Sequence, residues 1–413
     1  MGSFVPGPLR PLSQSQGRIW DVPPGTFWSA DLSTPVFGFG LASGLAAQGL
    51  VFSRAASLMA VQSGTSSVFD LSFLSATADV YITSRFDDAH VAGMALGGAR
   101  TNFIPDSSNF SAGSWVTGGT VTRTATQPGP TGTNSATRLQ CASGSNYIIR
   151  DTTVPTGALH TGSMWLRPTT PPANIGLLVG GTVALTSEQL AASAAWRRYF
   201  VTVTPYIGNS VTEFPVDGRA SYTFGAGARD WTAYGAQLEV GAFPSDPIPT
   251  AGVTATRAAT FLNLTAAKVT EGLIAGRLQL ELNLRAQGSR GEIGGSPHFA
   301  WADANNRITI DTATGIITIA VGGATNTTAA LNWARYDAID IFVCFGGSVA
   351  TTFLYRINSG AWASLAITGS ALGNITPANT YLLSQSTAGA HLDGWLYKVA
   401  AWQPNRRPSW ALN

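Results

Sequence analysis

The sequence predicts an all-β protein: two antiparallel β-sandwich domains after an irregular, partly β N-terminal segment. Three observations predict it. Short runs of alternating apolar and polar residues recur between Gly, Pro, Asn and Thr turns. No stretch holds the 3.6-residue period of a long amphipathic helix. Gly contributes 46 residues and charged residues only 11% of the chain, against roughly 25% in ordinary globular proteins. A surface solvated by hydroxyls and backbone, with few ion pairs, suits β-rich proteins of particles and extracellular spaces.

A length of 413 residues accommodates two or three domains, each able to bury its own core. Residues 1–100 read as an N-terminal attachment segment. It is Pro-rich at first (Pro6, Pro8, Pro11, Pro23, Pro24), then aromatic (Trp20, Phe27, Trp28, Phe37, Phe39), with no clean period. Aromatics in irregular chain dock either on the protein's own next domain or on a partner. Residues 101–257 read as one sandwich, with strands over Thr120–Thr126, Gly162–Arg167, Tyr199–Thr204 and Trp231–Glu239. The stretch Thr186–Ser193 fits a short helix or a loop. Residues 258–403 read as a second sandwich. Its strands are Leu278–Leu284, Arg307–Asp311, Ile316–Val321, Ala338–Cys344, Thr352–Ile357, Tyr381–Ser384 and Gly394–Trp402. Asn305-Asn306, Gly322-Gly323 and Asn358-Ser359-Gly360 supply turns between them. Residues 404–413 read as a tail.

Several function classes lose support at once. A net charge of +2 gives no electrostatic case for nucleic acid or an anionic membrane. No run reaches the roughly 18 apolar residues of a membrane span. The start Met-Gly-Ser-Phe-Val-Pro has neither the basic opening nor the apolar core of a signal peptide. A surface-type protein of this kind is expected to leave the cell by another route, such as assembly into a particle released by lysis. Cys141 and Cys344 fall in different sandwiches, and Cys344 follows the apolar run Ile339–Val343, as a buried thiol would.

A pattern of motifs then emerges in order. It opens with Phe52-Ser53-Arg54-Ala55-Ala56-Ser57, then Arg85-Phe86-Asp87, Leu96-Gly97 and Arg100-Thr101-Asn102. Asn109-Phe110 with Trp115, Met164-Trp165-Leu166-Arg167 and Trp196-Arg197-Arg198-Tyr199 follow. It ends with Tyr234-Gly235-Ala236-Gln237-Leu238-Glu239, Ile248-Pro249-Thr250 and Thr256-Arg257-Ala258-Ala259. This order resembles virion structural proteins of tailed bacteriophages and gene transfer agents, fibres or spikes with a carbohydrate-binding-like jelly-roll module. One departure stands out: those proteins often carry a carboxylate before the Arg-Thr-Asn, where this chain has Gly98-Ala99. The C-terminal third resembles a laminin-G or concanavalin-like sandwich through Asn306–Ile310, Tyr355–Gly360 and His391–Leu396.

The resemblance implies a fibre or spike subunit that attaches through its N-terminal region to capsid, portal or tail proteins. It implies sugar-binding-type sandwiches presented to host cell-surface polysaccharide, on the surface of a particle, as a homo-oligomer. A trimer is favoured over a pentamer, since appendages follow the symmetry of their vertex or tail. Alternatives are a purely structural base or connector, and a polysaccharide depolymerase. No paired carboxylates, nucleophile elbow, HExxH or P-loop supports an enzyme, and no cofactor is expected.

Sugar binding needs a flat aromatic face and a few polar groups that fix hydroxyls. Trp165 and Arg167, two apart on one strand, share a face. Tyr147 with Arg150 is a second pair, and Trp301 and Trp362, with His298, would rim a cleft in the third region. The alternative places Trp165 in the core and Arg167 in solvent. Trp115, Trp196, Trp231 and Tyr234 read as core. Glu239, with Asn102 or Asp106, offers hard oxygens for a structural Ca²⁺; the alternative is a carboxylate bonded to Arg or backbone amides. The four histidines show no metal-ligand spacing.

Overall fold

A computed structural model of the chain describes residues 26–31, 50–54, 58–62, 70–74, 94–130, 133–141, 147–150, 152–155, 157–169, 174–177, 186–189, 196–203, 228–267, 278–293, 296–321, 324–335, 337–345, 351–367, 379–385 and 391–402. Every element among them is a β-strand, and every pairing is antiparallel. The protein is all-β. The expected tail at 404–413 and the aromatics Trp20, Phe37 and Phe39 lie outside the described residues.

Two seven-stranded sheets form the C-terminal sandwich. One runs Thr26–Asp31, Gly394–Trp402, Leu278–Ala286, Ala338–Phe345, Thr351–Ile357, Ala363–Ile367, with Met94–Leu96 also on Gly394–Trp402. The other runs Leu50–Arg54, Thr260–Leu264, Thr380–Leu382, His298–Asp303, Asn306–Ile310, Ile316–Val321, Ala324–Ala330. Alternation drives the layering. In Asn306–Ile310, Ile308 and Ile310 are fully buried while Arg307 and Thr309 between them are not. They meet Leu282, Leu284, Ile339, Ile341 and Phe353 of the facing sheet in one core.

The first hundred residues are therefore not a separate attachment segment over their described strands. Thr26–Asp31 pairs with the last strand, from Thr26↔Trp402 to Asp31↔Lys398. Leu50–Arg54 pairs with Thr260–Leu264, and Met94–Leu96 with Leu396–Gly394. The sequence offered two docking surfaces for this segment; three of its described strands take the protein's own sandwich, while Leu58–Gln62 and Asp70–Leu74 pair with each other. Sheet edges carry unpaired N–H and C=O groups that a short strand satisfies without needing a long alternating pattern.

The middle module is inserted into that sandwich. The chain enters on Arg100–Asn102 and returns on Ala255–Arg257, and these two strands pair as a neck. Between them, a five-stranded sheet runs Arg197–Val203, His160–Pro168, Arg229–Val240, Ala136–Cys141, Val121–Gln127. One face carries Met164, Leu166, Leu139, Trp231 and Leu238; it is covered by Ile104, Phe110, Trp115 and Ile148 from the chain after the neck and from the Val116–Gly118/Tyr147–Ile149 pair. Cys141 is buried in this core. Thr186–Gln189 is a strand paired with Asn174–Leu177, neither the helix nor the loop considered from sequence.

The two sandwiches share one plug. Directly after Arg229–Val240 the chain turns at Gly241, and Ala242 and Phe243 enter the core of the C-terminal sandwich beside Ile293. Phe243 is 2% exposed. Removing its ring empties a fully buried aromatic site. Phe243→Ala should cost about 3–5 kcal/mol and separate the unfolding of the two modules, measured as a second transition in urea titrations. One unchanged cooperative transition would contradict the plug.

Candidate functional site

The residues proposed from sequence go to unexpected places. Alternation along His160–Pro168 does put Trp165 and Arg167 on one face, opposite Met164 and Leu166. That face is covered. Trp165 is 2% exposed and packs with Trp196, Tyr234 and Ala136, and Arg167 lies 5.0 Å over the Trp196 ring. Burial lowers the Arg167 pKa from its ordinary value. The i, i+2 rule fixes which face a side chain takes, but not what comes to cover it. A tryptophan of this area is more stable against other aromatics than against water. The expected ligand pair is thus closed on the protein itself.

The second pair and the third-region rim are described only in part. Arg150 spends Nη1 on the Ser114 carbonyl; the Tyr147 ring lies outside the described side chains. Trp362 is half-buried under Arg356, 4.6 Å from its ring centre. The backbone of Trp301 pairs with Arg307 and Tyr381, and its side chain also lies outside the description. His298 opens a strand and is 6% exposed, so it is not a solvated turn histidine.

Of the oxygens expected to bind calcium, all but Glu239 Oε2, which is buried without a hydrogen-bond partner among the described residues, are occupied within the protein. Asn102 Oδ1 accepts from Ile104 N and Leu238 N at 3.0 and 3.1 Å, and its amide donates to Ala236 O and Ile248 O. That exhausts its hydrogen-bonding capacity. Asp106 accepts from Ser114 Oγ and Gly252 N. Glu239 Oε1 accepts from Gln237 Nε2 and Ser245 N, both at 2.7 Å. Among the described residues no three His, Cys, Asp or Glu side chains gather as a metal site requires. The backbone-amide alternative describes Glu239 and Asp106.

What the structure does bring together is a joint. In the neck, Arg100 stands directly opposite Arg257, and like charges opposed across strands repel. Each takes its own carboxylate. Arg100 Nη2 donates to Asp393 Oδ2 at 2.7 Å, and Arg257 Nη1 to Asp246 Oδ2 at 3.0 Å. Arg100 also donates to the Val240 carbonyl and lies 5.0 Å from the centre of the Phe243 ring. Any side chain at Gly241, where φ is +138°, would collide with the Arg100 guanidinium. Asp393 Oδ1 accepts from Gly98 N at 2.6 Å, and a Cβ on Gly97 would stand 2.9 Å from that oxygen. Asp393 thus reaches the Gly97-Gly98 turn from the far end of the chain.

Electrostatics follow from this crowding. Burial pushes the Asp393 carboxyl up, but Arg100 and the Gly98 amide outweigh it and hold the group below the usual carboxylate range. Burial lowers Arg100 while Asp393, then Glu239, raise it, for a net rise. His391, two residues before Asp393, is 9% exposed. Its ring sits 5.1 Å from that of Phe261, and neither ring nitrogen has a hydrogen-bond partner among the described residues. Burial holds it below the ordinary histidine value; Asp393 opposes this, and Arg257 and Arg100 add to it.

The joint is extended by the chain after Gly241, which crosses the outer face of the five-stranded sheet. Thr161 and Thr202 donate to Gly241 O and Ala242 O, both at 2.8 Å. Arg198 bridges Ser245 O and Ser163 Oγ. On the other side, Gln287 donates to Pro244 O at 2.8 Å, and Arg335 pairs with Glu292 while covering the Phe200 ring at 4.5 Å. Between the modules an open cleft of about 420 Å³ remains, lined by Gly98, Ala99, Arg100, Phe243, Glu292 and His391 among others.

A scan against protein-family models finds no match to the chain, and a search of the curated proteins finds no relative. The joint is thus argued on its geometry. Sequence reading quoted Arg100, Arg257, His391 and Asp393 as motif pieces but had no signal that they meet. Residues 100 and 393 become neighbours only through the insertion.

Two outcomes follow. Asp393→Ala strands a buried guanidinium and should cost about 3–5 kcal/mol, read by urea unfolding; a loss below about 1 kcal/mol would mean the pair is solvated. The unfolded chain protonates His391 before the folded one does. Its contribution is whole above the unfolded value, near about 6.5, and declines as pH falls below it. The urea midpoint should drop between pH 7.5 and 5.5, and drop less in His391→Leu; part of the slope remains, because burial lowers His160 too. Equal slopes in the two proteins would remove His391 from the account.

Proposed function

We propose that this chain is a non-enzymatic structural subunit of a phage or phage-like particle, presenting its inserted sandwich toward cell-surface polysaccharide. The observation that carries the reading is the nesting. The first and last described strands pair with each other in the C-terminal sandwich, and the middle module leaves and re-enters through one two-stranded neck. Such an arrangement separates a holding module from a held one. The holding module supplies the surface for capsid, portal or tail proteins, and the inserted module faces outward.

Two further features support it. The ordered motifs from Phe52 to Ala259 resemble virion fibre and spike proteins, and most of those that fall on described residues build the neck and the sheet beside it. The low charge, 11%, suits broad buried interfaces between subunits. A trimer is the favoured assembly, because appendages adopt the closed symmetry of their site.

A connector without sugar binding is the second reading. The enclosed Trp165–Arg167 face favours it, since that aromatic surface is spent inside the protein.

The test is surface plasmon resonance of the full chain over a panel of bacterial capsular polysaccharides and lipopolysaccharides. Saturable binding to at least one is expected; silence across the panel leaves the connector. Light scattering at micromolar concentration should give three times the chain mass, and a stable monomer would count against self-assembly outside the particle.

A further inference from the structure

We propose that the cleft at the joint is the saccharide site, and that it takes an uncharged sugar unit on the Arg100–Asp393 pair. This rests on the polysaccharide reading above and names the place and the ligand class. The cleft holds about 420 Å³, within the range of small-ligand pockets, which favour junctions between domains. Its residues come from the turn before the neck (Gly98, Ala99), the plug (Ala242, Phe243) and the C-terminal sandwich (Glu292, Ile293, Asp393).

Charge decides the class of ligand. Arg100 is neutralised by Asp393 and Glu292 by Arg335, and the His391 nitrogens are sealed from solvent. A charged ligand would lose hydration against a lining that offers it no unpaired counter-charge. An uncharged polyol meets no such cost.

Hydrogen-bond capacity decides the contact. The Arg100 and Asp393 side chains are 15% and 10% exposed, so the pair still shows an edge. A guanidinium has five N–H groups, and those of Arg100 that bond among the described residues go to Val240 O and Asp393 Oδ2. Asp393 accepts one bond at each oxygen and keeps lone pairs. Donors beside acceptors match neighbouring hydroxyls, each of which gives and takes a proton. Ala242, Phe243 and Ile293 back the cleft, but at 5%, 2% and 6% exposure they offer a ligand little surface, so the contact rests on the Arg100–Asp393 edge. The nitrogens of His391 are sealed from solvent and belong to the floor, not to the contact set.

The test titrates the full chain with methyl glucoside, galactoside and mannoside, with glucuronate and glucosamine as charged counterparts, followed by amide NMR and calorimetry. At least one neutral glycoside should saturate and shift the Gly98 and Ala99 amides, with the charged sugars at least about tenfold weaker. Ala99 is exposed and lies between strands, so Ala99→Trp can fill the cleft mouth without entering a core. It should weaken glycoside and polysaccharide binding at least about tenfold. Val253→Trp, at a 69% exposed position outside the cleft, should leave both unchanged. Polysaccharide binding that survives Ala99→Trp, or that occurs with no glycoside shifting the Gly98 and Ala99 amides, overturns the cleft while the presentation reading stands. Absence of both polysaccharide and glycoside binding overturns the two together.

Discussion

The contact between Arg100 and Asp393 is the constraint on which this architecture turns. An inserted module must leave and return through the same gap, so its first and last strands run side by side. Here that places Arg100 against Arg257. The repulsion is resolved by recruiting carboxylates from two directions, Asp393 from the C-terminal sandwich and Asp246 from the chain leaving the inserted one. Each module thereby contributes a counter-charge to the neck.

Buried ion pairs of this kind rarely add net stability, because desolvation consumes most of the attraction. What they add is geometry. A guanidinium that also bonds Val240 O and covers Phe243 admits few orientations. Stability comes from the plug: Phe243 and Ala242 extend the apolar core of one sandwich with residues whose chain neighbours are hydrogen-bonded to the other. Apolar burial holds the modules together and the charged pairs set their register.

Much of the sheet architecture was legible because strands advertise themselves by alternation. Asn306–Ile310 and Ile316–Val321 lie where the pattern puts them, and the neck strands fall at the expected edges of the middle module. The nesting was not legible. Thr26–Asp31 and Leu50–Arg54 are too short to show a period, and nothing local reveals that each pairs with a strand more than 200 positions away. The site failed for a related reason. Trp165 and Arg167 do share a face, but the segments that decide whether a face is open are distant in sequence. The Gly98-Ala99 stretch stood out in the sequence as lacking the carboxylate that the resemblance leads one to expect before Arg-Thr-Asn. That Asp393 bonds the Gly98 amide could not be read without the fold.

The outer face of the five-stranded sheet is not open: Thr161, Arg198, Thr202, Gln237 and Glu239 on that face hold the 241–248 segment, and Ser163 accepts from Arg198. Fixing one module to the other consumes the open sheet and creates a seam. A seam has concavity that a flat sheet lacks, and it is lined by both modules. Any molecule that binds across it stabilises the seated arrangement by mass action, so occupancy and orientation of the inserted module become one linked equilibrium.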